Sequence, residues 1–260
     1  MTISHVLFDC DGTLVDSEIL AMRVAVQSLN EKIVEFGGQP YDEMDYIQTR
    51  AGGHFSQMIQ WAMDDHPGLV IDAEALDLYN RQRTIEVLGA DCVTFDDMLD
   101  TLAGLDERGI GMSVVTSSEL ARVLPPLKNN ALHGYFVRDN DERIYSAVNT
   151  LNPPKPKPDP SIYLHALDVE GLNADECIAV EDSLSGVKSA VAAGIEVIGF
   201  VGATHIPDHM KEEHAQKLLD AGASHVVSSM TELMAAIDSH NADCGANFAA
   251  AHVAKGRDFT

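Results

Sequence analysis

The chain has 260 residues, of which 41 are acidic and 17 are basic, so its formal net charge is −24. This charge disfavours nucleic acids and anionic membrane surfaces as partners, and the 45% hydrophobic content is that of a globular protein. No apolar run reaches about 18 residues and no basic leader opens the chain, so we expect neither a membrane span nor a secretory signal. We therefore expect a cytoplasmic protein. The four cysteines lack paired spacing, so we expect no disulfide framework, and Cys10 and Cys177 are predicted to be buried reduced thiols.

The first predicted element is a buried strand, because the apolar residues Val6-Leu7-Phe8 run into a turn at Gly12. The apolar spacing that follows is helical and includes no strand pattern. It predicts helices over residues 18–35, 41–50, 55–63 and 72–88. From about residue 95, helices and strands alternate, which is typical of a parallel, doubly wound sheet. The predicted fold class is thus α/β, a Rossmann-like core with an inserted all-α cap domain.

The same pattern predicts how the chain divides into domains. We expect residues 1–16 and 90–240 to form the α/β core, and residues 17–89 to form the helical cap. Residues 132–150 show no decisive pattern. The tail, residues 241–260, shows little pattern of any kind and is expected to be poorly ordered.

Polar residues follow several of the predicted strands directly. Asp9 and Asp11 follow the first strand, Thr116-Ser117-Ser118 follows the second, and Glu181-Asp182 follows a later one. Each cluster alone is also consistent with a turn or a helix N-cap. Because ligands of parallel sheets bind beyond the carboxyl ends of the strands, the clusters together predict one shared crevice. Neighbouring carboxylates repel each other, so a cation or a shared proton is expected there.

These segments resemble the four motifs of the haloacid dehalogenase superfamily, in matching order and spacing from residue 3 to about residue 200. The matching segments are Asp9-x-Asp11-Gly12-Thr13, the strand ending in Thr116-Ser117, Lys155-Pro156-x-Pro158-Asp159, and Glu181-Asp182-Ser183-x-Ser185-Gly186-Val187. The helical insert resembles the small cap of the phosphatase and β-phosphoglucomutase branch. The resemblance implies a phosphoric monoester hydrolase.

The resemblance also implies roles for the acidic residues. Asp9 is expected to attack phosphorus and form an aspartyl-phosphate. Asp11 is expected to be the general acid and base, and to be protonated at the start because carboxylates crowd it. Mg²⁺ is expected between Asp9, the backbone carbonyl of Asp11 and Asp182. Glu181 would bind the metal through a water molecule or would contact the residues that bind it.

The remaining motif residues are expected to hold the phosphoryl group. Gly12 would allow the tight turn, and Thr116 and the N–H of Ser117 would bind phosphate oxygens. Lys155 would neutralise the phosphoryl group and the nucleophile. We assign this role to Lys155 rather than Lys157 because Lys-Pro-x-Pro-Asp is the spacing of the family.

The predicted substrate is a small phosphorylated metabolite, such as a sugar phosphate or a sugar-acid phosphate. Arg50 and His54 in the cap are candidate specificity residues, although both also fit a solvated loop. A β-phosphoglucomutase-type phosphomutase is the alternative, which we disfavour because Glu119 would repel a second phosphate. A non-catalytic phospho-ligand-binding protein is disfavoured because Asp9, Asp11 and Lys155 are all present. Monomer and homodimer both remain open.

Overall fold

The computed structural model describes residues 2–50 and 54–241, without the side chain of Gln48. Within these residues, six parallel strands form one sheet in the order β5-β2-β1-β6-β7-β8, and a separate hairpin pairs β3 with β4. The strands are β1 (His5–Phe8), β2 (Gly111–Thr116), β3 (Val137–Arg138), β4 (Asp141–Glu142), β5 (Ile144–Ser146), β6 (Cys177–Glu181), β7 (Glu196–Phe200) and β8 (His225–Val227).

Helices connect these strands. Those between β1 and β2 are α1 (Glu18–Phe36), α2 (Glu43–Arg50), α3 (Phe55–Asp65) and α4 (Ala73–Asp91). Those that follow are α5 (Met98–Glu107), α6 (Leu120–Asn129), α7 (Ser161–Glu170), α8 (Leu184–Ala192), α9 (Lys211–Asp220) and α10 (230–241). The predicted helices and strands are thus present with ends shifted by a few residues, and the predicted fold class is confirmed.

The segment without a decisive pattern, residues 132–150, contains the short hairpin and β5. Ile144–Ser146 is only three residues long, and all three are buried. A strand this short and fully buried shows neither alternation nor an extended apolar run, so pattern analysis does not detect it.

Buried apolar side chains form two separate clusters. One surrounds the sheet and includes Phe8, Val114 and Val180. The other is formed by α1–α4 and their connections and includes Leu29 and Met58. Two clusters are what a core with an inserted cap would produce, although the exact bounds of the two domains stay a prediction.

Strand order and register bring the predicted motifs to one edge of the sheet. β1 lies between β2 and β6, and Phe8 is level with Val114 on one side and Val180 on the other. The strand order reverses at β1, which in open α/β sheets creates a crevice beyond the carboxyl ends of the strands. The residues that follow Phe8, Val115 and Val180 therefore all lie at this crevice.

Cys10 and Cys177 are buried free thiols, as predicted, and Cys92 is another, while Cys244 lies outside the described residues. The predicted tail also lies outside them from residue 242 onward. In the part of the chain that the structure describes, no helix has the length and apolar character needed to cross a membrane.

A buried polar network stabilises the opposite, amino-terminal edge of the sheet. His5 on β1 is hydrogen-bonded to Ser113 on β2 at 2.8 Å, and Ser113 donates to Glu170 of α7. Glu170 also forms an ion pair with Arg143 at 2.6 Å. Burial, together with the positive charges of Arg143 and Arg138, lowers the pKa of His5 from 6.5 to about 4.

Replacing His5 is expected to change how stability depends on pH. The unfolded chain binds a proton at His5 below about pH 6.5 while the folded chain does not, so stability falls as pH drops toward 4. Protonation of His5 in the unfolded chain lowers the free energy of unfolding by about 3 kcal/mol across that range. In urea denaturation, the stability gap between wild type and His5→Gln should shrink by that amount from pH 7 to pH 4. The exposed His209→Gln is the control, and a gap that stays constant for His5→Gln would contradict the assignment.

Candidate active site

Asp9 lies in the centre of the crevice, directly after β1. Its backbone N–H donates to the carbonyl of Val180 at 3.0 Å, which fixes the residue beside the end of β6. Its carboxylate accepts a hydrogen bond from Lys157 Nζ at 2.6 Å. Burial raises the pKa of Asp9 to about 8, even though Lys157 opposes the shift. The ionised form of Asp9 is thus strongly disfavoured unless further positive charge is present.

Two further carboxylates approach Asp9 from the end of β6. Carboxylate oxygens of Asp9, Glu181 and Asp182 lie within 4.8 Å of one another, and all three residues are buried. Burial raises the pKa of Asp182 well above its ordinary value, and the charges of Asp9 and Glu181 raise it further. Within the cluster Lys157 is paired with Asp9 and Glu181 but not with Asp182. When these three acids are ionised, the single lysine leaves two negative charges of the site uncompensated.

The lysine of the site is Lys157, so the assignment of this role to Lys155 was wrong. Lys157 Nζ lies 2.6 Å from Asp9 and 2.5 Å from Glu181, and donates to the carbonyl of Val115 at 2.7 Å. Only 3% of its side chain is exposed. Lys155 is exposed and its amine contacts Ser161 at 3.4 Å.

The error came from a repeated sequence, because Lys155-Pro156-Lys157-Pro158-Asp159-Pro160 contains two overlapping Lys-Pro-x-Pro matches. The later match ends at Pro160, the N-cap of α7, and the backbone N–H of Lys157 donates to Ser117 Oγ at 3.0 Å. That hydrogen bond ties Lys157 to the end of β2. Lys157 lies closer than Lys155 to the start of α7 at Ser161, and this distance along the chain is a signal that could have distinguished the two matches.

Asp11 is held by hydrogen bonds to both of its carboxylate oxygens. Ser17 and Ser118 each donate to it at 2.6 Å, and Arg122 donates through two nitrogens at 3.0 and 3.2 Å. Burial acts to raise the pKa of Asp11, but Arg122 and the two serines outweigh it and leave the pKa below its ordinary value. The expectation that Asp11 starts protonated is therefore not met by this arrangement.

Arg122 is a residue of the site that the sequence analysis missed. It lies in the first turn of α6, and it also pairs with Glu18 of α1 at 3.2 Å. A cation is unfavourable at the N-terminal end of a helix, so a basic residue there indicates an acidic partner elsewhere in the fold. Spacing along the sequence did not reveal that this partner is Asp11.

The predicted phosphate-binding residues lie beside Asp9. Thr116, Ser117 and Ser118 line the same cavity of about 260 Å³ as Asp9 and Lys157. Thr116 Oγ1 accepts a hydrogen bond from the backbone N–H of Ser118 at 3.0 Å, which shapes the loop after β2. Gly12 has a positive φ of 79°, and a Cβ there would lie 2.1 Å from Asp182 Oδ2. Only glycine therefore fits this turn.

Arg50 of the cap does not reach this cavity, contrary to the prediction. Its guanidinium forms an ion pair with Asp65 at 2.8 Å. It also lies 5.3–5.8 Å from the ring centres of Tyr41, Tyr46 and Trp61. These contacts give Arg50 a role in stabilising the cap.

His54, the other cap candidate, lines a second and larger cavity that adjoins the first. This cavity has a volume of about 700 Å³ and shares Glu18 and His205 with the cavity at Asp9. Residues 51–53 of the predicted cap loop lie outside the described residues.

Glu119 does not present an unpaired negative charge. Arg81 of the cap helix α4 forms an ion pair with it. The argument that Glu119 would repel a second phosphate is therefore weaker than the sequence suggested, because a neighbouring cation offsets its charge.

Comparison with known proteins matches residues 6–200 to the haloacid dehalogenase-like hydrolase family. A 6-phosphogluconate phosphatase of Escherichia coli is 28% identical over 208 residues, covering 78% of this chain and 85% of that protein. A phosphoglycolate phosphatase of Thiobacillus denitrificans is 29% identical over 201 residues, covering 76% and 82% respectively.

Solved structures show the same fold. A conserved haloacid dehalogenase-like protein of Agrobacterium tumefaciens superposes with a TM-score of 0.72 at 31% identity, covering 92% of this chain and 99% of that one. A structure described as a putative β-phosphoglucomutase of Thermotoga maritima has a TM-score of 0.68 at 22% identity, covering 89% and 98%, and this similarity shows the fold alone.

The chain belongs to the haloacid dehalogenase-like hydrolase family, because the family match spans most of the chain and includes all of its motifs. With the phosphatase relatives, the match makes it a phosphoric monoester hydrolase.

Proposed function

We propose that this protein is a Mg²⁺-dependent phosphatase that hydrolyses a small phosphorylated sugar or sugar acid through an aspartyl-phosphate on Asp9. One observation carries the proposal. The nucleophile Asp9, the cation Lys157, the acid Asp182 and the donors of the Thr116-Ser117-Ser118 loop all line one cavity.

In the first step, an Asp9 carboxylate oxygen attacks phosphorus and a new P–O bond forms as the bond to the ester oxygen breaks. Lys157 and the loop after β2 stabilise the charge on the phosphoryl oxygens. In the second step, water attacks phosphorus, the acyl-phosphate bond breaks, and Asp9 returns to its carboxylate form. Phosphate and the free alcohol are the products.

Asp11 is the group placed to move protons in both steps. Its low pKa suits the second step, in which it accepts a proton from the attacking water. In the first step it has to donate a proton to the leaving oxygen, and its hydrogen bonds from Arg122, Ser17 and Ser118 oppose that protonation. We infer that some of these bonds exchange when substrate binds.

The donor atoms at the site fit Mg²⁺, a hard cation that prefers carboxylate oxygens. Asp9 and Asp182 would be direct ligands, while Glu181 is already engaged by Lys157 and by Tyr163, whose hydroxyl lies 2.5 Å away. A bound Mg²⁺ would neutralise the acidic cluster and the phosphoryl oxygens. The raised pKa values of Asp9 and Asp182 support this, because Lys157 alone does not compensate three buried carboxylates.

The phosphatase remains favoured over the phosphomutase. A mutase needs cationic groups for a second phosphate. Arg81 and Arg122 line a cavity beside Ser117 and Ser118, but Arg81 is paired with Glu119, and Arg122 is paired with Asp11 and Glu18. The presence of Asp9, Asp11 and Lys157 disfavours a non-catalytic role. A cytoplasmic location and a monomeric or homodimeric state stay predictions.

The proposal predicts strict dependence on a divalent metal. Purified protein incubated with p-nitrophenyl phosphate, sugar phosphates and phosphorylated acids should release phosphate with Mg²⁺. We expect EDTA to lower the rate at least about a hundredfold, because the carboxylate cluster would then repel the phosphoryl group. Excess Mg²⁺ should restore the rate. Full activity after exhaustive chelation would contradict metal dependence, and conversion of a sugar 1-phosphate to its 6-phosphate would favour the mutase.

A further inference from the structure

Asp182, which the proposed function makes a Mg²⁺ ligand, lies between two regular elements. The strand β6 ends at Glu181, and Ser183 is the N-cap of α8, so the main-chain carbonyl of Asp182 belongs neither to the pairing of β6 nor to the helix. The residue is buried. A buried carbonyl without a hydrogen-bond donor is costly, and nothing then fixes the orientation of its peptide group. The direction of the Asp182 side chain therefore depends on what contacts this carbonyl.

The donor to this carbonyl is His214 of α9. Its Nε2 lies 2.8 Å from the carbonyl oxygen of Asp182. A carbonyl oxygen only accepts, so the hydrogen of a neutral ring is on Nε2, where the charged ring carries one as well. The hydrogen bond is therefore independent of the protonation state of His214, since a second proton would bind Nδ1. It fixes the orientation of the peptide group between Asp182 and Ser183.

The packing of α9 on the sheet places His214 at this carbonyl. Leu218 is fully buried and lies against Gly199 of β7, where an added Cβ would be 2.9 Å from Leu218 Cδ1. Gly199 is level with Glu181 on the neighbouring strand. Because a helix between parallel strands runs back along the sheet, His214, four residues before Leu218, lies on the same face and one turn nearer the carboxyl edge. It therefore reaches the residue that follows Glu181.

A second imidazole, that of His205, contacts the carboxylate of the same aspartate. Its Nε2 lies 3.4 Å from Asp182 Oδ2, and among the described residues no other basic side chain pairs with this carboxylate. On the other side, a Cβ added at Gly12 would clash with Asp182 Oδ2 and would lie 3.1 Å from His205 Cε1. The carboxylate is thus confined between the Gly12 backbone and the His205 ring. The loop that carries His205 is held by the N–H of Thr204, which donates to Asp16 at 3.3 Å.

We propose that His214 is a positioning residue for the metal site, which fixes the main chain of Asp182 so that its carboxylate meets Mg²⁺ in the required orientation, while His205 restricts the carboxylate itself. Neither imidazole belongs to the group of side chains whose ligand atoms lie close enough together to hold the ion. Mg²⁺ demands near-ideal octahedral geometry, so a misdirected ligand lowers its affinity. Groups that orient metal ligands change metal affinity about ten- to a hundredfold. This role rests on the proposed Mg²⁺-dependent function and adds two residues to it.

Direct measurement of Mg²⁺ affinity, without substrate, tests the role of His214. Calorimetry and competition with a fluorescent Mg²⁺ indicator should give a Kd about tenfold higher for His214→Leu than for wild type. His214→Gln should stay within about threefold of wild type, because its amide N–H reaches the position of Nε2 and donates to the same carbonyl. His205→Leu should raise the Kd about threefold, since its contact with Asp182 is longer. The control is His209→Leu, which removes an exposed histidine just before α9 and should leave the Kd unchanged.

Steady-state rates separate positioning from a general structural effect. In His214→Leu, the Mg²⁺ concentration that gives half-maximal activity should rise about tenfold, and saturating Mg²⁺ should restore kcat to within about twofold of wild type. A loosened fold would instead lower kcat at every Mg²⁺ concentration, which would overturn the positioning role. If His214→Leu does not fold, His214→Asn replaces it. The asparagine amide is one carbon shorter and does not reach the carbonyl, so the same loss of Mg²⁺ affinity is expected.

Failure of this inference is distinguishable from failure of the proposed function. A Kd for His214→Leu within about twofold of wild type, or an equal loss in His214→Gln, would overturn the positioning role even in an active phosphatase. If wild type binds Mg²⁺ but hydrolyses no phosphate ester, the proposed function fails, and a weaker affinity confined to His214→Leu still supports the positioning role. If wild type binds no Mg²⁺, the positioning role fails, and phosphate release then decides the phosphatase activity separately.

Discussion

The variant Asp9→Asn is expected to lose phosphatase activity by a factor on the order of ten thousand, because a carboxamide does not attack phosphorus and forms no acyl-phosphate. Its stability should equal or exceed that of wild type. Burial already raises the pKa of Asp9 to about 8, so a neutral side chain of the same shape relieves an electrostatic cost. Steady-state rates with p-nitrophenyl phosphate and urea denaturation at pH 7 measure the two effects.

The matched control is Asp159→Asn, which neutralises a half-buried aspartate that accepts a hydrogen bond from the backbone N–H of Ser161 at 2.9 Å. It should keep near-normal activity. An Asp9→Asn protein that retains more than about a tenth of the wild-type rate would show that Asp9 is not the nucleophile.

The second large effect is expected from the two lysines that share one motif. Lys157→Met should lower activity about a thousandfold, since it removes the cation that contacts Asp9 and Glu181 at the phosphoryl site. It should also destabilise the fold, because removing one partner of a buried ion pair leaves buried acids uncompensated. Lys155→Met should change activity less than about twofold, as that side chain is exposed and its amine contacts Ser161.

The comparison stays decisive even if Lys157→Met fails to fold, which circular dichroism would reveal. In that case Lys155→Met alone tests the assignment. A loss of more than about tenfold in the Lys155 variant would return the catalytic role to Lys155 and would contradict the geometry described above.

The architecture of the core was predictable because it follows from local patterns. The apolar run at Val6-Leu7-Phe8 and the helix–strand alternation after residue 95 both persist in the fold. The convergence of Asp9, Thr116 and Asp182 was equally predictable, since parallel strands place their carboxyl ends at one edge. These features depend on the order and direction of the strands, and the pattern of apolar residues in one sequence predicts both.

Side-chain partnerships between distant elements were harder to predict. Arg122 is 111 positions from Asp11, and no periodic pattern links an early turn to the first turn of α6. The lowered pKa of Asp11 depends on that contact, which the sequence alone did not reveal. Lys157 was missed because two overlapping matches compete, and a hydrogen bond to Ser117 decides between them.

Side-chain contacts of the cap residues were equally hard to predict from the sequence. Arg50 is a plausible substrate ligand from its position near the predicted loop, yet Asp65 and three aromatic rings hold it within the cap. Lys217 and His214 had no motif to mark them, since both lie in an ordinary amphipathic helix. Only the three-dimensional arrangement of α9 against the end of β6 brings them to a cavity beside Asp182.

The central claim is that Asp9 carries the phosphoryl group during turnover, and trapping that intermediate tests it most directly. Protein mixed with Mg²⁺ and substrate is quenched in acid within the first turnover, digested, and analysed by mass spectrometry. Our account predicts a phosphoryl group on the peptide that contains residue 9, localised to Asp9 by its reduction with borohydride to homoserine. Rapid turnover with no acyl-phosphate at residue 9, or a phosphoryl group on another side chain, would contradict it.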